Sequence, residues 1–183
     1  MRHLKIFSLT PLVFTFLLLS VISCSKDNAP APPTGIGGAA IVNGNYGFDG
    51  NRLTQFACTK AGIVQTNVAG ISSFNISAIR DGGNESITII AFKNITGPTT
   101  VDFSAALSNG GIMISKDYSK PGDQALNYST DNNGSGGTKG GGQMKVTAFD
   151  GTNIEGTFYA VAYNGTGSIA AVEQGTFKGK VTK

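Results

Sequence analysis

The chain has 183 residues, with 14 Lys and Arg against 11 Asp and Glu, one His, two Cys and no Trp, a length that suits one domain. Setting aside residues 1–23, for reasons given below, leaves 160 residues with 22 Ile and Val and 16 Thr but only 3 Leu and 3 Glu. β-branched side chains lose rotamer freedom in helices and pack well on a pleated surface, so this composition argues against an α-rich fold. The same 160 residues carry 12 basic and 11 acidic side chains and no histidine. That leaves no basic surplus for a phosphate backbone, so no nucleic-acid partner is expected. It also removes histidine zinc sites and Ser-His-Asp or Cys-His catalysis, short of the rarer Ser-Lys variants.

The first 23 residues read as an address. Met1 to Lys5 form a short basic start, residues 6–22 are mostly apolar, and Val21-Ile22-Ser23-Cys24 follows. A positive start, an apolar middle and a small residue before the cut make a secretory signal. Pro11 interrupts the apolar run, whose length is short for a membrane span. The cysteine after the small residue resembles a bacterial lipobox. That resemblance implies a signal peptide over 1–23, a diacylated Cys24 as the new N-terminus, and the lipid bilayer as the partner held through Cys24. Two or more acyl chains give stable attachment, where one is marginal. Cys58 is then left as a single thiol.

Residues 24–44 read as a tether. Pro30, Pro32 and Pro33 favour extended polyproline geometry, and Gly35, Gly37 and Gly38 add flexibility. At ~3.1 Å per residue the tether reaches up to about 60 Å. Its Ser25-Lys26-Asp27 start resembles the export signal of surface lipoproteins in Bacteroidota-type bacteria, which prefers two acidic residues; Asn28 stands at the second. The expected location is the outer membrane, lipid-anchored, facing the periplasm or the cell surface. Gly35-Ile-Gly37-Gly-Ala-Ala40 matches a dinucleotide fingerprint in letters, but that motif needs a strand before it and a helix after it. A Pro-rich stretch precedes it here, so a linker is expected.

From 45 to 183 short apolar runs alternate with Gly, Asn, Asp and Ser. Strands are predicted over 52–58, 62–68, 72–80, 85–93, 99–104, 111–115, 124–130, 143–149, 154–163 and 169–181. Asp81-Gly82-Gly83-Asn84 predicts a hairpin turn. The segment from Asp102 to Asn109 has room for one helical turn, and residues 131–142 read as a flexible loop. The fold class that follows is all-β, an antiparallel β-sandwich or barrel of roughly eight to ten strands.

The C-terminal forty residues carry a resemblance. Gly142-Gln-Met-Lys-Val-Thr-Ala-Phe-Asp-Gly-Thr-Asn-Ile-Glu-Gly-Thr-Phe158 and Glu173-Gln-Gly-Thr-Phe177 resemble the ending of small uncharacterised Bacteroidota-type outer-membrane lipoproteins. The resemblance is loose over 45–183 and good over 142–181. It implies a β-rich envelope lipoprotein, with structural motifs and nothing catalytic.

The last hairpin invites a register. With 154–163 antiparallel to 170–179, Gly156 faces Phe177 and Phe158 faces Gly175, each ring covering backbone that glycine leaves bare. Thr157 then faces Thr176, Val161 faces Val172, Glu155 faces Lys178, and Gly165–Ser168 forms the loop. A three-residue turn at Asp150-Gly151 aligns Met144 with Phe158, Val146 with Gly156 and Ala148 with Ile154. Met144, Val146, Ile154, Phe158 and Phe177 are thus expected in the core. Glu173 falls on the same face opposite Ala160 and is expected at the sheet end, near solvent.

Candidate sites are few. Asp131-Asn-Asn133-Gly-Ser135-Gly136 resembles a calcium-loop start, but the twelfth position is Gly142 where a bidentate Glu belongs. A plain glycine-rich loop is expected, with no metal and no cofactor. Cys58, after Phe56-Ala57, is expected as a small core residue, with Lys60 the only nearby charge to activate it. Asp150, Glu155 and Glu173 are the candidate carboxylate pairs that a glycosidase requires, though Asp150 suits a turn and Glu155 a surface position. Tyr46, Tyr118, Tyr128, Tyr159 and Tyr163 could stack on sugar rings or pack the sheet. The expected function is a membrane-anchored envelope lipoprotein with a non-catalytic β domain, structural or binding a glycan or protein. The alternative is a carboxylate-dependent hydrolase such as a glycosidase.

Overall fold

The computed structural model describes residues 39–183, so the expected leader, Cys24 and the expected tether up to residue 38 lie outside it. Ten strands make up the domain: β1 (Ala40–Phe48), β2 (Thr54–Val68), β3 (Ile71–Ile79), β4 (Ser86–Ala91), β5 (Thr99–Phe103), β6 (Gly110–Ser115), β7 (Asn127–Ser129), β8 (Gly141–Phe149), β9 (Asn153–Asn164) and β10 (Ile169–Lys180). Every pairing between them is antiparallel. The order β1-β2-β3-β4-β6-β7-β9-β10 returns to β1, so eight strands close into a barrel. Of the sandwich and the barrel that the composition allows, the barrel is the one formed; full closure removes the sheet edges. β8 and β5 are additional strands. β10 occupies one edge of β9, and the other is shared by β7 at residues 163–164 and β8 at residues 154–161.

The barrel interior is filled. Phe56, Phe74, Ile63, Ile76, Ile87, Ile89, Ile112, Ile114, Tyr128, Met144 and Phe177 are among its buried side chains. Cys58 belongs to this core as expected, 2% exposed and unpaired. Met144, Val146, Ile154, Phe158 and Phe177 are all buried. Among the described residues no buried side-chain polar atom lacks a partner.

The final hairpin follows the expected register over half its length. Gly175 pairs with Phe158, Thr176 with Thr157, Phe177 with Gly156 and Lys178 with Glu155. A Cβ on Gly175 would lie 2.7 Å from the Phe158 ring, and one on Gly156 would collide with Phe177 and the Lys145 carbonyl. Nearer the turn the register slips by one: Val172 faces Ala160 and Ala171 faces Val161, not Val172 facing Val161. A β-bulge is responsible. Glu173 and Gln174 together oppose Tyr159, and Gln174 takes a left-handed φ of 53°. The extra residue puts both side chains outside, so Glu173 is exposed in mid-strand and not at the sheet end. A second bulge at Thr147 replaces the expected Ala148–Ile154 pair by Ala148–Glu155 and Phe149–Ile154.

Four further expectations are corrected. β1 begins at Ala40, so residues 40–44 belong to the barrel and not to the tether, and a strand stands where a dinucleotide fingerprint requires its helix. The predicted strands 52–58 and 62–68 are one strand, β2, which has a bulge at Thr59-Lys60 and hands over from β1 to β3 after Ala61. The Asp102–Asn109 segment contains a turn closed by Leu107 N–H to the Ser104 carbonyl at 2.9 Å, not a helical turn. Of the loop at 131–142, Gly141 and Gly142 are already in β8, and the rest folds back on itself through a bridge between Asn133 and Lys139. The only helical residues described, Ser135–Gly137, form a short 3-10 turn there.

Antiparallel order fixes which turns share an end. The start of β1, the β2–β3 turn, the exit of β4, the β8–β9 turn and the end of β10 lie at one end, called here the tether end. The β1–β2, β3–β4 and β9–β10 turns and the exit of β6 lie at the other, the far end. The chain's last residues cross the tether end: Thr182 donates to Ile63 O at 2.9 Å and accepts from Gln65 N–H at 2.8 Å, with Val181 buried.

Candidate functional site

Two of the three candidate carboxylates share one surface feature. Asp150 and Glu155 border an open surface depression of about 640 Å³ with Ile41, Phe149, Lys178 and Lys180. Asp150 Oδ1 accepts from the Thr152 and Asn153 amides at 2.8 and 2.6 Å, and Oδ2 from the Asn153 side chain at 2.9 Å. These bonds hold its carboxyl down to about 2, the side-chain bond from Asn153 contributing most. Glu155 pairs with Lys178 at 3.2 Å across the hairpin. Glu173 is outside this depression, in the β10 bulge.

Of the five tyrosines, Tyr46, Tyr128 and Tyr163 are buried and Tyr118 is half-buried; Tyr159 is 53% exposed. Tyr159 stands on the outer barrel face, opposite Gln143 of β8 and the Glu173–Gln174 bulge of β10. Gln143 donates to Asp102 Oδ1 at 2.8 Å, and Asn45 donates to Gln174 Oε1 at 3.2 Å. A bare ring flanked by amides and carboxylates therefore crosses five strands, β1, β10, β9, β8 and β5. Sequence reasoning placed Tyr159 among the candidates but could not foresee its neighbours, because the bulge that brings Glu173 and Gln174 outward has no sequence marker.

The far end holds a set of ionic and aromatic contacts that sequence reasoning missed. Arg80 reaches Glu85 with Nε at 2.9 Å and Nη2 at 3.1 Å, and the Tyr46 hydroxyl donates to Glu85 Oε1 at 3.0 Å. Burial pushes the Glu85 carboxyl up, but the bonds from Arg80 and Tyr46 outweigh it and the net shift is downward. Burial and the bond to Glu85 together push the Tyr46 hydroxyl up. Nearby, Lys116 pairs with Asp49 at 2.7 Å and lies 5.1 Å from the Phe48 ring centre and 5.3 Å from that of Tyr128. A signal did exist: Arg80 and Glu85 flank the Asp81–Asn84 turn, where a hairpin sets them side by side.

The 131–142 loop has one isolated acid. Partial burial pushes the Asp131 carboxyl up, while Asn132 spends its amide on the Tyr163 carbonyl at 2.8 Å. Among the described residues no group of three His, Cys, Asp or Glu side chains comes together to hold a metal. No protein-family model, curated protein or solved structure matches the chain.

Proposed function

We propose that this protein is an envelope lipoprotein, anchored in the outer membrane through acylated Cys24, whose β-barrel is a non-catalytic binding or structural module. The layout of residues 1–24 carries the anchoring part: basic start, apolar run, Ser23, Cys24. The resemblance of residues 142–181 to small Bacteroidota-type lipoproteins supports it. The non-catalytic part is supported by the fate of the acids. A glycosidase needs one carboxyl with a raised pKa beside a second carboxylate, whereas Asp150 is held near 2 and Glu155 is ion-paired. The filled interior leaves the outer surface for recognition, and the Tyr159 row suits a glycan, whose apolar face stacks on a ring while amides and carboxylates take its hydroxyls.

Growth with an alkyne-tagged palmitate tests the anchor. The parent should be labelled and pellet with membranes, and Cys24→Ala should be unlabelled and either soluble or unprocessed. A Cys24→Ala variant that matures and fractionates like the parent overturns the reading.

A further inference from the structure

The tether end differs from the rest of the barrel surface in what it leaves bare. Its β2–β3 hairpin carries Val68 and Ile71, 70% and 72% exposed, directly opposite each other. Phe92, just past β4 and 60% exposed, follows Ala91, which pairs with Phe74. The register therefore brings Phe92 level with Ser73, two residues along β3 from Ile71. These are the three most exposed large apolar side chains among the described residues. A soluble protein gains nothing by presenting them together, and such a patch marks a surface that another phase or molecule covers.

The surroundings identify the occupant. The segments that carry or adjoin these three side chains, 65–73, 92–98 and 181–183, contain no Asp or Glu and include Lys93 and Lys183; the one acid of the neighbouring β8–β9 turn, Asp150, borders a separate depression with Lys178 and Lys180. Lys183 borders the same groove as Val68, Gln65 and Asn94. Apolar tips flanked by two lysines match the boundary between acyl chains and anionic headgroups. The chain itself supplies the direction: β1 starts at this end, at Ala40. Residues 24–39 are the whole connection to the anchoring cysteine, at most about 50 Å if extended. So short a leash holds this end at high local concentration near the bilayer, where contacts too weak for a free protein become occupied.

We propose that the tether end of the barrel docks on the bilayer, with Val68, Ile71 and Phe92 inserted at the headgroup level and Lys93 and Lys183 against anionic headgroups. The proposal rests on the anchored reading above, and its test separates the two. The chain has no tryptophan, so one introduced indole reports alone. Full-length, acylated Ile71→Trp and Phe92→Trp proteins, with Lys120→Trp from the far end as control, are reconstituted into phosphatidylethanolamine vesicles with and without phosphatidylglycerol. Some of the vesicle lipid carries brominated chains. Flotation with the vesicles reads anchoring; quenching reads docking. The expected result is flotation of all three, with blue-shifted, bromine-quenched emission at positions 71 and 92 only. Phosphatidylglycerol should deepen the quenching, and Lys93→Ser with Lys183→Ser should remove that increment. Flotation with equal, weak quenching at positions 71, 92 and 120 overturns docking while leaving the anchor intact. Blue-shifted but unquenched emission at position 71 means that protein covers the patch, and also overturns it. Failure to float overturns the anchor and the docking with it.

Discussion

The two ends of the barrel solve the same problem in opposite ways. At the far end, strand ends are closed by matched charges laid against rings: Arg80, Glu85 and Tyr46 in one group, Lys116, Asp49, Phe48 and Tyr128 in the other. At the tether end, Val68, Ile71 and Phe92 face outward with nothing over them. Folding alone explains the far end, because each partly buried charge there has a partner and would cost free energy without it. Folding does not explain the tether end, where the apolar side chains contribute little to the barrel. Stability should therefore be sensitive to substitution in the far-end cluster and indifferent to substitution of Val68, Ile71 and Phe92.

The wall between the ends sets the scale. Phe158→Ala or Phe177→Ala, each emptying a ring-sized space over glycine, should cost about 3–5 kcal/mol in urea unfolding. A far-end variant with a comparable cost would mean that its cluster is core and not closure. Glu85→Ala should cost about 1–2 kcal/mol, since it strips partners from Arg80 and Tyr46 at a site still partly open to solvent. A loss below the error of measurement would remove the distinction between the ends.

Acid should act at both ends, through Glu85 at the far end and Asp150 in the β8–β9 turn. The folded pKa of Glu85 lies below its ordinary 4.5, so its contribution is complete above that value and is lost as pH falls through the folded one. Asp150, held to about 2, follows the same sign. The midpoint of thermal unfolding should drop as pH falls from about 4.5 towards 2. Glu85→Gln should flatten the upper part of that drop, and an unchanged slope would show that Glu85 is not the group lost. Lys116→Met should cost under about 1 kcal/mol, a partly exposed ion pair and its ring contacts. Smallest of all, Val68→Ser and Ile71→Ser should each stay within about 0.5 kcal/mol of the parent. A larger loss would place these side chains in the fold and withdraw them from any surface role.

What the sequence reveals depends on which physical signal carries it. Composition and alternation were enough for the all-β class, since Phe74, Ile76, Ala78, Ile87 and Ile89 point inward in strict alternation. Glycine opposite phenylalanine was enough to register β9 against β10 from Gly175 onward. Single inserted residues defeated the same logic. Nothing about Gln174 advertises a left-handed φ of 53°, which glycine or asparagine would have signalled. No strand was predicted where β1 lies, because the residues up to Gly44 read as tether, although Gly44 packs closely on the Gly175 backbone. Of the candidate sites, Asp150 and Cys58 were legible, as a turn and a core residue. Of the far-end cluster only the Arg80–Glu85 pair had a sequence signal; Asp49 with Lys116 and Tyr46 with Glu85 are pairs that only closure of the barrel brings together.

The clasp made by the last residues has a consequence in time. β10 pairs with β1, and Thr182 reaches back to Ile63 and Gln65. The circuit is completed by β10, which follows every other described strand in chain order. Until then β1 has no partner on one side, and the growing sheet is a ribbon with two open edges. The barrel therefore cannot close before β10 is present. The cost falls on the finished end. A C-terminal truncation of only four residues removes Lys180 to Lys183, and with them the clasp, so it should slow closure far more than so short a tail would suggest.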